Sequence, residues 1–140
     1  MSSITVPANE EALDEITEFI DGELGKVGCP PNIQIQMTIE EVFVNIANYA
    51  YENGEGNAEI TCTIIDDPLT AEISFKDSGV PFDPLAQADA DISEEALEER
   101  EGGLGIHMIR TYMDSVSYAY ENGQNVLTVR KRLRKEADDA

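Results

Sequence analysis

The sequence predicts an α+β fold, a two-layer sandwich in which a mixed, mainly antiparallel sheet carries helices on one face. Two observations support this. Stretches of alternating apolar and polar residues come in adjacent pairs joined by turn chemistry, as hairpins do, and stretches with apolar residues three and four apart lie between the pairs. The resulting order is β-α-α-β-β-lid-α-β-β, with no internal repeat. At 140 residues the chain is about one domain long, enough to bury a core without disulfides or a structural metal.

Residues 3–7, SITVP, form a β-rich run closed by Pro7, which suits an edge strand. From Asn9, a candidate N-cap, the spacing of Leu13, Ile16, Phe19, Ile20 and Leu24 predicts an amphipathic helix ended by Gly25 and Gly28. Pro30 and Pro31 reset the chain. A second helix follows, its buried stripe made by Ile35, Ile39, Val42, Phe43, Ile46, Ala47 and Ala50 and its end marked by Asn53 and Gly54. Residues 58–65 and 71–76 alternate as strands, and the intervening DDPLT makes them a hairpin. Residues 86–101 are acidic and poor in large apolar groups, and a loop of that length in a compact domain is read as a lid. Ile106, Ile109, Met113 and Val116 then restore the pattern of a third helix. The chain closes with SVSYAYE, the turn NGQ and NVLTVRKRL, a hairpin in which Tyr118 and Tyr120 face the same way.

Composition narrows the function. With 29 acidic residues against 9 basic ones and a formal net charge of -20, the chain lacks the cationic surface that nucleic acid or an anionic membrane requires. No apolar run approaches the roughly 18 residues of a membrane span. The start, MSSITVPANEE, lacks the basic and then apolar regions of a signal peptide, so the expected location is the cytoplasm. Cys29 and Cys62 are far apart and the chain has a single histidine, which argues against both a zinc cluster and a disulfide framework.

Three segments carry candidate chemistry. In EEVFVNIANYAY, Glu41 and Asn45 stand four apart and share one face of the second helix, one turn above the other; on spacing alone an ordinary solvated face remains open. In FKDSGVPFDP, a strand ends on Asp77, Gly79 allows a close backbone approach or a positive φ, and Pro81 and Pro84 hold the next loop extended. A carboxylate there can accept a hydrogen bond from the amino group of a bound base, although a plain turn accounts for the same residues. In EGGLGIHMIR, Gly102, Gly103, Leu104 and Gly105 directly precede a helix, whose exposed N–H groups favour phosphate oxygens. Neither a GxxxxGK[ST] loop nor the HRD and DFG motifs of eukaryotic-type protein kinases is present.

The order of these segments is more specific than any one of them. ExxxN on a helix, DxGxxFDP after a strand, a long lid and GGLG opening a helix together resemble the ATP-binding fold shared by gyrase, Hsp90, histidine kinases and MutL. Within this GHKL superfamily, the bearer of the Bergerat fold, the likeness is greatest to the bacterial anti-sigma-factor serine kinases; it covers nearly the whole chain, from the first strand to the last hairpin, and implies that residues 1–140 are one ATP-binding kinase domain. The resemblance implies Glu41 as the general base and Asn45 as the side-chain oxygen ligand of a magnesium ion on the phosphates. It implies Asp77 as the adenine-reading carboxylate, Gly79 as the glycine beneath the base, and Gly103, Leu104 and Gly105 as the turn that brings backbone amides to the phosphates. Phe82 and Pro84 also fit this branch.

Three positions depart from its pattern. Tyr49 stands where histidine is frequent. Glu101 replaces an arginine, which leaves Arg100, one residue earlier, as the candidate for the γ-phosphate. Gln124 stands where a threonine commonly follows the glycine of the last hairpin, so one adenine-side water contact is expected to be rearranged. His107, in the third helix, lies outside any phosphoacceptor box and is read as a capping or packing residue.

ATP and Mg2+ are the implied cofactors. The implied partners are a STAS-type anti-anti-sigma protein, a sigma factor and a second copy of the chain in a homodimer. The activity implied is phosphorylation of a serine or threonine on the STAS protein, in a partner-switching system. Glu101 keeps open an alternative, a nucleotide-gated protein-binding module with little or no kinase activity. An acidic interaction domain without nucleotide would leave the ordered set of polar sites unexplained.

Overall fold

A computed structural model describes residues 1–51, 55–83 and 103–135. Five strands, β1 (Ser2–Pro7), β2 (Asn57–Ile65), β3 (Thr70–Asp77), β4 (Ser115–Glu121) and β5 (Gln124–Arg132), form one sheet in the order β1-β2-β3-β5-β4. All four ladders are antiparallel, so the sheet expected to be mainly antiparallel is antiparallel throughout its described residues. β1 is an edge strand, as the terminal Pro7 suggests. The helices are α1 (Leu13–Lys26), α2 (Ile33–Asn45) and α3 (Gly103–Tyr112).

The core follows the two periods. Ala58, Ile60 and Cys62 on β2, Ile73 and Phe75 on β3, and Leu127 and Val129 on β5 alternate onto one buried face. Ile16, Ile20 and Leu24 of α1, and Ile35, Ile39 and Phe43 of α2, join them in one cluster, which fixes the helices to that face. The residues between them point the other way and are polar. Thr61, Ser74 and Thr128 lie side by side in the register, with a 3.1 Å hydrogen bond between the Ser74 and Thr128 hydroxyls.

Element ends account for most of the differences from the pattern-based reading. Asn9 is extended but its side chain caps nothing: its carbonyl takes the Ala12 N–H at 3.1 Å, closing a 3-10 turn, Glu10–Ala12, that delays α1 to Leu13. Gly25 lies inside α1, and the helix stops when Cys29 N donates to Leu24 O (3.0 Å) and Gly28 N to Gly25 O (3.1 Å), a Schellman closure between two buried residues, Leu24 and Cys29. Asn32 caps α2 by accepting the Ile35 N–H at 3.0 Å.

At its other end α2 gives way to a π-helical turn, Ile46–Ala50, and Tyr51 is already extended. Asn53 and Gly54, the expected end of this helix, lie outside the described residues. α3 ends at Tyr112, and Val116 belongs to β4, opposite Val129. Met113 N still bonds to Ile109 O, whereas Asp114 N bonds to Arg130 O, so the chain passes from helix to sheet within one residue. Both periods place residues 113 and 116 toward the core, which is why the apolar spacing alone misassigned Val116. The last turn is a two-residue connection of Asn122 (φ 53) and Gly123 (φ 76), the type I′ geometry that Asn-Gly favours. Tyr118 and Tyr120, opposite Leu127 and Asn125, face the same side as expected. No helix among the described residues is long and apolar enough to cross a membrane.

Candidate functional site

A cleft opens where α2 and its π turn lie over the ends of β3 and β5. Asn45, Ile46, Tyr49 and Ala50 line it from the helical side, Phe75, Asp77, Val80 and Phe82 from β3 and the loop after it, and Tyr118, Asn125 and Leu127 from the last hairpin. Strand alternation explains the mixture: Phe75 and Asp77, like Leu127 and Asn125, occupy successive inward positions, and in each strand the polar member sits at the cleft end.

Asp77 is 5% exposed. Its Oδ1 accepts the Gly79 N–H and an Asn125 Nδ2–H, both at 2.9 Å, which leaves Oδ2 as the acceptor available to a ligand. Asn125 was not singled out in the sequence. Its signal is an amide in the inward series Asn125, Leu127, Val129, where an apolar residue would otherwise stand. Gln124, the departure expected to rearrange an adenine-side water contact, donates from Nε2 to Ser78 Oγ at 3.5 Å.

Gly79 is explained by close approach: its φ is not positive, and a Cβ on it would lie 2.0 Å from the Ala50 carbonyl oxygen. Val80 N donates to that same oxygen at 3.0 Å. Tyr51 ties the same region together, its hydroxyl donating to Asn57 O (2.6 Å) and accepting from Ser78 N (2.8 Å).

Asn45 lines the cleft, and its Nδ2 donates to Glu41 Oε1 at 3.3 Å, so the two residues predicted to share a helix face are joined. Burial pushes the Glu41 carboxyl above its ordinary pKa; the Asn45 bond opposes this and the neighbouring Glu40 charge adds to it. With its amide nitrogen turned to Glu41, Asn45 keeps its carbonyl oxygen for another partner.

Gly103, Leu104 and Gly105 form the first turn of α3 rather than a loop before it, and α3 packs against α2. Arg100, Glu101, Gly102, Pro84 and the 86–101 segment lie outside the described residues. His107 is exposed on α3, so the packing role expected of it is not found.

Residues 6–131 match the family model described as the histidine kinase-like ATPase domain. The chain belongs to that family. Curated relatives include proteins named Serine-protein kinase RsbW. The one from a strain of Bacillus cereus is 29% identical, covering 96% of this chain and 86% of the relative, and the one from Halalkalibacterium halodurans is 29% identical, covering 97% and 85%. Among solved structures, the catalytic domain of histidine kinase ThkA superposes with a TM-score of 0.50 at 14% identity, over 97% of this chain and all of that one. Histidine kinase AdeS of Acinetobacter baumannii gives 0.51 at 10% identity, over 96% and 70%. These two share the fold.

Family membership implies ATP use, and the cleft's residues fit it. Ile46, Phe75 and Leu127 supply apolar walls for a base, and the spare oxygen of Asp77 is an acceptor for an amino group. The carbonyl oxygen of Asn45 is a hard oxygen donor of the kind that would suit a magnesium ion.

Proposed function

We propose that residues 1–140 form a single ATP-binding domain acting as an ATP-dependent serine/threonine kinase and anti-sigma regulator, whose substrate is a STAS-type anti-anti-sigma protein. One observation carries the reading: Asn45 and Asp77, from a helix and a distant strand, line one cleft, and Glu41 accepts a hydrogen bond from Asn45. The curated relatives named as serine-protein kinases support it over nearly the whole chain. A sigma factor and a second copy of this chain are the further partners proposed, and the cytoplasm is the proposed location.

In this reading Asp77 accepts the adenine amino group through Oδ2, and Asn45 Oδ1 holds magnesium. Magnesium, when bound, supplies neutralising charge to the phosphate oxygens. Arg100 and the amides of Gly103, Leu104 and Gly105 face the phosphates, with Gly79 beneath the base. Glu41 takes the proton from the partner's hydroxyl as its oxygen bonds to the γ-phosphorus and ADP leaves with the bridging oxygen. The raised pKa of Glu41 suits a base that must accept and then release a proton.

The test is to incubate the protein with labelled ATP and its STAS partner. Acid-stable label on a partner serine or threonine is expected, because a phosphoester survives acid and a phosphohistidine does not. Acid-labile label that stays on this chain and disappears in His107→Gln would overturn the assignment. ATP binding without transfer would support the nucleotide-gated binding module instead.

A further inference from the structure

Asn125 makes four hydrogen bonds within the chain, and they use the whole capacity of its amide. Nδ2 donates to Asp77 Oδ1 at 2.9 Å and to Val80 O at 2.8 Å. Oδ1 accepts the Phe82 N–H at 3.1 Å and the Tyr118 hydroxyl. Turning the amide over would set its oxygen against two acceptors, Asp77 Oδ1 and Val80 O, and its nitrogen against the Phe82 N–H, so its orientation is fixed. The residue is 8% exposed, so water cannot readily replace a lost partner.

The consequence falls on Asp77. Its Oδ1 is held by two donors, Gly79 N and Asn125 Nδ2, and rotating the carboxylate would break both bonds. A base with an amino group at this edge completes the arrangement by donating to Oδ2. A base with a carbonyl there sets oxygen against oxygen, and the carboxylate cannot turn away to relieve it.

We propose that Asn125 is a positioning residue for base selection: by locking the Asp77 carboxylate in one orientation it sets the preference for adenine over guanine nucleotides. The assignment deepens the ATP reading above and rests on it. Without the Asn125 donor the carboxylate gains freedom to turn, and the penalty on a carbonyl-bearing base falls. Affinity for the adenine nucleotide falls at the same time, because the acceptor is no longer aimed. The ratio of the two affinities therefore reports on Asn125 more directly than either affinity alone.

The experiment measures dissociation constants of the full chain for non-hydrolysable ATP and GTP analogues by calorimetry, in the parent and in Asn125→Thr and Asn125→Val. These two variants have the same shape and suit a strand, and they differ in one hydroxyl, a donor one bond shorter than the amide that meets Asp77 through a small shift or one bridging water. The parent should prefer the ATP analogue by at least about 100-fold. Asn125→Val should lower that ratio at least ~10-fold, and Asn125→Thr should keep it within about threefold. A purely structural role would weaken both nucleotides alike and leave the ratio where it was. Valine and threonine variants with equal ratios, or a valine variant as selective as the parent, would overturn the assignment while leaving the ATP reading intact. A parent that binds neither analogue would overturn both. Should either variant fail to fold, Asn125→Ser and Asn125→Ala give the same comparison without the branched methyl.

Discussion

Substituting Gly79 by alanine separates close packing from turn geometry as the reason for that glycine. The added Cβ would lie 2.0 Å from Ala50 O, 2.5 Å from Ala50 C and 2.7 Å from Ala50 Cβ. Two of these atoms are backbone, and Ala50 ends a π turn whose Ile46 and Ala50 are buried, so the contact cannot be relieved by a side-chain rotation. Overpacking of this kind costs about 1–3 kcal/mol. Parting the two segments also breaks the 3.0 Å bond from Val80 N to Ala50 O, worth roughly another 1 kcal/mol. A total of about 2–4 kcal/mol, with a urea dependence near 2 kcal/mol per molar, should move the unfolding midpoint down by about 1–2 M.

Gly25→Ala is the internal control. That glycine is exposed inside α1, a Cβ there meets nothing within 4 Å, and helix propensity alone acts. It should raise stability by about 0.5–1 kcal/mol. Equilibrium urea unfolding of the two variants checks both signs. If Gly79→Ala unfolds at the parental midpoint or above it, the docking of the π turn on the β3 end is not what requires glycine.

Asp77→Asn should weaken ATP binding by about 1.5–3 kcal/mol, roughly 10- to 150-fold. An amide that keeps its oxygen toward Gly79 and Asn125 turns an N–H to the ligand, so GTP affinity should rise in the same calorimetric series. Glu41→Gln should retain nucleotide and lose about 10²–10⁴-fold in phosphotransfer, whereas Asn45→Ala should weaken magnesium-nucleotide binding itself. Because the folded Glu41 carboxyl has a raised pKa, its protonated form is the one that favours the fold. That contribution is complete below the unfolded pKa and is lost as pH rises through the folded one. Glu41→Gln should therefore raise the thermal midpoint at neutral pH and change it little in acid, and parental phosphotransfer should fall on the acid side at a higher pH than an ordinary glutamate would give. Scans at several pH values check both signs.

Much of the architecture follows from the sequence because side-chain period is a local property. Ala58, Ile60 and Cys62 alternate, and Ile35, Ile39 and Phe43 recur at helical spacing, whatever they eventually touch. The turn residues Asn122 and Gly123 likewise settle a hairpin by their own φ preferences. The spacing of Glu41 and Asn45 put them on one helix face, and Asp77 at a strand end was legible from the residues around it.

Other features were decided by the tertiary structure. Asn9 offers a good cap, but its carbonyl takes the N–H of buried Ala12 and closes a 3-10 turn there instead. Val116 continues a helical spacing and still joins a strand, because Asp114 N finds Arg130 O across the sheet. The closeness of Gly79 to Ala50, the last residue of the π turn Ile46–Ala50, arises only when that turn meets the end of β3. The role of Asn125 belongs to the same group: its four partners come from β3, the loop after it and β4, and none is its neighbour in sequence. Composition and period set which residues turn inward, because they depend on neighbours a few positions away. Which polar groups then meet depends on the register and docking of distant segments, and the fold alone brings those together.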